Sequence, residues 1–266
     1  MQGGGYQTVR FGPPVTPPVI KYLMIANAAV LILQSISPNV SVPVAGAQLS
    51  IPADQVTAWF AAWPERVWTT GMFWQPFTYM WLHAGLMHVG FNMLALWMFG
   101  SPIALLWGEK KFLRFYLLCG FGAGLIIVCW PALAMLFGAG AHSYLLPTLG
   151  ASGAVFGVLL AYSLTWPDRT IMLLFPPIPI KAIYFIPFIL VMGWLGGPAN
   201  VSHVGHLGGV AVGWILLRRM GTTGGITFKS LQYRWRRYRM RRKLRAVRRE
   251  EFRSRRRSDD DHRTFH

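Results

Sequence analysis

Residues 115–167 and 182–217 contain no Asp, Glu, Lys or Arg. Charge-free runs of this length exceed what a water-soluble domain of ordinary size buries. They match a bilayer instead, whose ~30 Å hydrocarbon core takes about 20 apolar residues per helix and requires every backbone group to be satisfied internally. The rest of the composition agrees: the 266 residues are 53% hydrophobic and 13% charged, with 12 Trp and 17 Phe. The implied fold class is an all-α polytopic membrane protein. The opening segment, MQGGGYQTVRFGPPVTPP, lacks the apolar centre of a cleaved leader, so the first hydrophobic segment reads as an uncleaved signal-anchor. Cys119 and Cys129 lie on one predicted helix, about 15 Å apart by helical rise, too far to pair.

Six spans emerge: Val19 to Ile36, Leu86 to Leu106, Phe112 to Phe137, Leu149 to Trp166, Ile180 to Leu195 and His203 to Leu217. An even number puts both termini on one side. Of the 26 Lys and Arg, only Arg66 falls on the opposite side, which makes the terminal side cytoplasmic. The expected organisation is a cytoplasmic segment 1–17, a six-helix membrane domain 18–220 and a basic cytoplasmic tail 221–266. A bacterial plasma (inner) membrane is the expected location.

Three connecting regions have their own chemistry. The first outer loop, Ser37 to Phe77, contains QVTAWFAAWPERVWTTGMFWQPF, and aromatics at this density suit the lipid–water boundary, so short interfacial helices are expected there. Between the fourth and fifth spans, Pro176, Pro177 and Pro179 argue for a turn rather than a continuous helix. Eighteen of the basic residues lie at or after Arg218, so the tail carries most of the net charge of +17. Its apolar residues recur at three- and four-residue spacing, as in a basic amphipathic helix lying on anionic lipid headgroups. No nucleic-acid partner is expected.

Polar residues inside spans are costly to bury and mark function. The second span and its approach carry His83, His88 and Asn92; the fourth carries Ser152; the sixth carries His203 and His206. The span order puts all of them near the outer ends. His88 and Asn92 share a helix face, as do His206, Gly209 and Gly213. Gly153 and Gly157 follow Ser152, and two glycine-lined helices can approach closely. That approach would bring the Ser152 hydroxyl to the His206 imidazole, an activated nucleophile. His88, Asn92 and the Ser152 amide at a helix start could then receive an oxyanion. The competing reading of each small-residue pair is packing alone. No Asp or Glu lies in any span, so a triad is excluded unless a loop residue reaches in, and an aspartyl pair is excluded because Asp168 is single and at the cytoplasmic edge. HExxH is absent, so no metal or other cofactor is expected. His142 and His203 read as loop or interfacial residues.

Taken together, HAGLMHVGFN, the GASG of Gly150 to Gly153 and HLGGVAVG resemble the rhomboid family of intramembrane serine proteases across about residues 15–220. The resemblance implies a six-transmembrane-helix rhomboid-like bundle with an interfacial first outer loop. It implies Ser152 as nucleophile, His206 as general base, and His88, Asn92 and the Ser152 amide as oxyanion hole. Gly150, Gly153, Phe156, His83 and Gly209 would support them. It also implies a substrate gate in span five and the loop GGPANVSH, with Gly196-Gly197-Pro198 as a hinge. Two departures stand out: Gln75 replaces the arginine of a frequent Trp-Arg pair, and Phe156 replaces a frequent tyrosine. The activity implied is cleavage of transmembrane segments of other membrane proteins. The alternatives are a catalytically inactive rhomboid-like protein that binds membrane clients, or a small transporter using the polar cluster as a pathway.

Overall fold

The structure, a computed structural model, describes residues 12–43, 50–138, 142–173, 177–196 and 203–221, together with Met240. The expected cytoplasmic segment up to residue 11, the gate loop 197–202 with most of its hinge, and the basic tail beyond 221 lie outside the described residues, Met240 apart. The chain divides into two units, Met1–Thr222 and Thr223–His266, and every helix and strand named below belongs to the first.

The protein is mostly helical and carries apolar helices of membrane-spanning length. Among the described residues, three are long and apolar enough to cross a bilayer: Pro18–Ile36, Leu86–Trp107 and Glu109–Leu136. Helix α1 (Pro18–Ile36) begins at a proline suited to the first turn and ends at Ser37, which Pro38 holds in extended backbone. The second rod is α5 (Leu86–Ala95), a π-turn (Leu96–Gly100) and α6 (Ser101–Trp107), closed by Gly108 at φ +81°. The Ser101 hydroxyl donates to the Trp97 carbonyl (2.6 Å) in that widened stretch, a local bulge that keeps the helix continuous. Helix α7 (Glu109–Leu136) runs through Pro131.

Three shorter helices follow: the apolar α9 (Ser152–Thr165) and α10 (Ala182–Gly196), and the more polar α11 (His203–Arg219). Every residue of α9 from Gly153 to Ser163 is buried, so α9 is the central helix, covered on all sides. Its neighbours come close because the contact residues are small. A Cβ on Gly120 of α7 would meet the Cβ of Ala154 at 3.3 Å, and one on Gly208 of α11 would meet the Ala123 Cα at 3.4 Å.

The outer loop departs from the expectation of helices alone. It opens with an antiparallel hairpin, β1 (Asn39–Pro43) paired with β2 (Ser50–Asp54), before the short helices α2 (Gln55–Phe60), α3 (Pro64–Thr69) and α4 (Gln75–Thr78). The proline-rich turn is likewise a hairpin, β3 (Thr170–Met172) with β4 (Pro179–Lys181). In both cases proline stands in a two-stranded ladder that has only edges, where a missing N–H is tolerated.

Side chains knit the outer loop together. The indole N–H of Trp74 donates to the Trp59 carbonyl (2.9 Å), that of Trp68 to the Val128 carbonyl of α7 (2.9 Å), and the Thr78 hydroxyl to the Phe60 carbonyl (2.8 Å). Gln75 is fully buried. Its Oε1 accepts from the Trp63 amide (3.0 Å) and its Nε2 donates to the Trp59 carbonyl (3.3 Å). The glutamine thus satisfies loop backbone groups at the position where the resemblance leads one to expect an arginine. Gln75→Met keeps the volume but leaves the Trp63 N–H unpaired, and it is expected to destabilise the protein by about 1–3 kcal/mol. Equilibrium denaturation in detergent checks this.

Candidate functional site

The segment ahead of α9 is held from two sides. Thr148 exchanges both backbone hydrogen bonds with Ala62 of the outer loop (2.9 and 2.8 Å), and the Gly150 amide donates to the Tyr79 carbonyl (3.0 Å). A 3₁₀ turn, Tyr79–Trp81, carries that carbonyl. Gly150 sits at φ +126°, a backbone that residues with a Cβ rarely adopt. Its Cα faces the His88 ring: an added Cβ would lie 2.7 Å from Cε1 and 2.8 Å from Nε2. Gly150 therefore turns the chain into α9 and lets the backbone lie against His88. Gly150→Ala incurs both backbone strain, about 1–3 kcal/mol, and a clash with the ring. At least a tenfold loss of any activity that uses this site is expected, measurable beside Gly90→Ala, since Gly90 has nothing within 4 Å of its would-be Cβ.

Ser152 is the first residue of α9 and is partly exposed. Its amide is among the helix-start donors that have no partner inside the helix. His88 sits in the first turn of α5. Its Nδ1 accepts from the Ala84 amide (3.3 Å), so in the neutral ring the proton resides on Nε2, the nitrogen facing Gly150. His83 is buried and packs edge-on to His88, ring centroids 5.1 Å apart. The Asn92 amide donates one N–H to the His88 carbonyl (2.9 Å) and keeps a second donor.

His206 lies in the first turn of α11, stacked on Phe156 with ring centroids 4.3 Å apart and 14° between planes. Phe156 is one turn beyond Ser152, so the imidazole rests above the face of α9 from which Ser152 projects. The Phe156 ring keeps the stacking, whatever a tyrosine hydroxyl would add. Among the described residues, neither the Ser152 hydroxyl nor the His206 ring makes a hydrogen bond. The helices carrying them are in backbone contact. A Cβ on Gly209 would fall on the Gly153 carbonyl oxygen, and one on Gly213 would lie 3.1 Å from the Gly157 Cα. Gly153 is closed in by Ala123, by the Tyr79 hydroxyl and by the Gly205 carbonyl.

Gly150 thus lies against His88 and Phe156 against His206 at the start of α9, where Ser152 and Gly153 sit with Gly209 packed on Gly153. His83 packs on the His88 ring, and Asn92 is bonded to the His88 carbonyl. His203 stands apart, stacked on Trp194 of α10 (6.1 Å). A groove of about 450 Å³ lined by His203, Trp194 and aliphatic residues of α10 and α11 includes neither Ser152 nor His206. His142 begins α8 (His142–Leu145). Among the described residues, no group of three or more His, Cys, Asp or Glu could hold a metal ion. Sequence reasoning missed Tyr79, which is buried, donates to the Gly120 carbonyl (2.9 Å) and touches the GASG segment at two points. Nothing in FTYMW marks it beforehand.

Residues 70–222 match the family model of the rhomboid domain, more than half of the chain. The chain belongs to the rhomboid family. The rhomboid domain is similar to a mitochondrial rhomboid protein 1 of Saccharomyces cerevisiae, 35% identical over 50% of this chain and 39% of that protein. It is also similar to the rhomboid protease GluP of Bacillus subtilis, 28% identical over 61% of this chain and 29% of that protein. A RHOMBOID-like protein 1 of Arabidopsis thaliana is 34% identical over 54% of this chain and 33% of its own length. The chain spans well under half the length of each of these relatives, and the matched family domain contains the whole cluster around Ser152.

Proposed function

We propose that this rhomboid protein is an intramembrane serine endopeptidase working through a Ser152–His206 dyad. The observation that carries the reading is the pairing of two histidine-bearing helix starts with Ser152: His206 stacked on Phe156 from one side, and His88 Nε2 against Gly150 from the other. In this mechanism His206 takes the proton of the Ser152 hydroxyl as Oγ attacks the scissile carbonyl carbon. The carbonyl oxygen becomes an oxyanion that accepts from the Ser152 amide, His88 Nε2–H and the free Asn92 N–H. When the C–N bond breaks, His206 returns its proton to the leaving amine. Water then attacks the acyl-enzyme with His206 again as base, and Ser152 regains its proton.

The wider reading is a six-span bundle made of α1, the α5–α6 rod, α7, α9, α10 and α11, as a membrane domain 18–220. Both termini would face the cytoplasm of a bacterial inner membrane, with the tail 221–266 on anionic headgroups. Helix length supports a water-accessible site. Helix α9 has 14 residues, about 21 Å of rise against a hydrocarbon thickness of ~30 Å. With its far end at the cytoplasmic boundary, α9 begins roughly 10 Å below the outer one, so Ser152 opens into a recess roofed by the outer loop. Substrates are then transmembrane segments of other membrane proteins that unwind locally to present a carbonyl.

The test is reconstitution of the purified protein with a single-span model substrate, comparing wild type with Ser152→Ala and His206→Ala. Cleavage by wild type alone supports the dyad. Cleavage persisting in either variant contradicts it, and substrate binding without cleavage by wild type indicates a client-binding protein.

A further inference from the structure

Resting on the protease reading, we propose that Gln34, at the end of α1, is a positioning residue that holds His88 in its donor tautomer. The short loop 82–85, between the 3₁₀ turn and α5, carries the two amides that matter. It is irregular backbone next to the membrane-spanning rod, where unpaired N–H groups are costly. Side chains satisfy both. The His83 amide donates to Gln34 Oε1 (2.9 Å), and the Ala84 amide donates to His88 Nδ1 (3.3 Å).

Gln34 is itself fixed at its other end. Its Nε2 donates to the Thr57 hydroxyl (2.9 Å), which donates in turn to Asp54 Oδ2 (2.5 Å). Asp54 Oδ1 accepts from the Thr57 amide (2.8 Å), capping α2. The amide orientation of Gln34 is set by this chain: the Thr57 hydroxyl proton is committed to Asp54, so Thr57 can only accept, and Gln34 must turn its NH₂ outward and its oxygen to His83. Gln34 and Thr57 are both buried, so water does not substitute readily for either.

One line of hydrogen bonds thus runs from the partly exposed Asp54 carboxylate through the buried Thr57 and Gln34 to the His83 peptide. The next peptide donates to His88. With the His83 amide anchored, the adjoining Ala84 N–H stays aimed at Nδ1, and the donor proton of His88 stays on Nε2 beside Gly150. Without Gln34 the loop is free to turn, Nδ1 loses its donor, and the Nδ1–H tautomer becomes populated. That tautomer presents a lone pair to the oxyanion position. Gln34 touches neither the proposed nucleophile nor the proposed base, and its residue number lies 49 positions from its partner, so nothing in local sequence joins it to the site.

The experiment is ¹⁵N NMR of the full chain in detergent micelles with ¹⁵N-histidine, the His88 signals being assigned by their loss in His88→Gln. Wild type should show His88 as the Nε2–H tautomer. Gln34→Met should convert a third or more of it to the Nδ1–H form, with Thr57→Val shifting it in the same direction and Thr57→Ser remaining like wild type. In the reconstituted cleavage assay, Gln34→Met should lower kcat in proportion to the Nε2–H fraction that remains, about 1.5-fold when a third is converted and more when more is, with KM within twofold. A wild-type Nδ1–H tautomer, or a Gln34→Met protein that melts cooperatively with an unchanged tautomer, overturns the proposal. The tautomer signal is read without catalysis, so a protein that fails to cleave in its wild-type form refutes the protease reading and leaves this measurement intact. If Gln34→Met does not fold, Thr57→Val, which keeps Gln34 but removes the acceptor of its Nε2–H, decides by the same readout.

Discussion

Ser152→Ala is expected to lower cleavage of a reconstituted single-span substrate at least about a thousandfold, and His206→Ala to do so by a similar factor. The double variant should be no worse than the more impaired single one, because a nucleophile without its base and a base without its nucleophile are equally idle. Neither loss should come from unfolding. Ser152 is partly exposed, and among the described residues its hydroxyl makes no hydrogen bond, so its removal should change stability by no more than about 0.5 kcal/mol. His206→Ala loses the stacked contact with Phe156, an aromatic pair of about 0.5–1.5 kcal/mol, and should melt slightly earlier. A set of steady-state rates beside detergent melting curves separates chemistry from folding. Additive losses in the double variant would mean that the two residues act independently.

Gly209→Ala carries the largest expected effect on stability. The added methyl would overlap the Gly153 carbonyl oxygen and sit 2.7 Å from its carbonyl carbon and 3.0 Å from its Cα. All three atoms are backbone, so no rotamer relieves the clash, and α11 must back away from α9 along its whole glycine face. The cost should reach or exceed the upper end of the about 1–3 kcal/mol typical of overpacking. Activity should fall further than stability explains, because the same separation draws His206 off Phe156 and away from Ser152. Gly90→Ala serves as the control. It lies in α5 with open space at its would-be Cβ, so the substitution should be neutral or stabilising by up to about 1 kcal/mol. Equal melting temperatures for Gly209→Ala and Gly90→Ala would contradict the close contact between α9 and α11.

The contrast between those two glycines shows what a sequence can and cannot convey. Gly153, Gly157, Gly209 and Gly213 are spaced to form stripes on two helices, and helix-facing periodicity is a local property that survives in one dimension. The first span, expected from Val19 and found from Pro18, and the long rod from Leu86 were legible for the same reason, since apolar runs and proline act within a few residues. The hairpins at 39–54 and 170–181 were not. Their strands are three to five residues long, and their prolines suggest interruption until the ladder is seen to consist of edges alone. Pro131 falls inside the expected span Phe112 to Phe137, and α7 does run through it, because the apolar run on both sides outweighs one proline as a local signal.

Around Ser152 the chemistry-bearing residue types were visible, while the residues that hold them were not. Gln75, Tyr79 and Gln34 act through hydrogen bonds to Trp63, Gly120 and His83, 12, 41 and 49 positions away. Any buried glutamine or tyrosine needs some partner, but the partner is chosen by the fold. Gln75 illustrates the point. As a departure from the family's arginine it reads in sequence as a loss, whereas its carboxamide both accepts and donates, and so meets the needs of two loop residues at once.

Whether Ser152 is a nucleophile activated by His206 is tested most directly by covalent capture. The folded protein in detergent should be treated with a serine-directed fluorophosphonate, digested and analysed for the modified peptide by mass spectrometry. One adduct is expected, on Ser152, absent in Ser152→Ala and strongly reduced in His206→Ala. An unmodified Ser152 in correctly folded wild-type protein, or labelling undiminished in His206→Ala, would contradict the dyad.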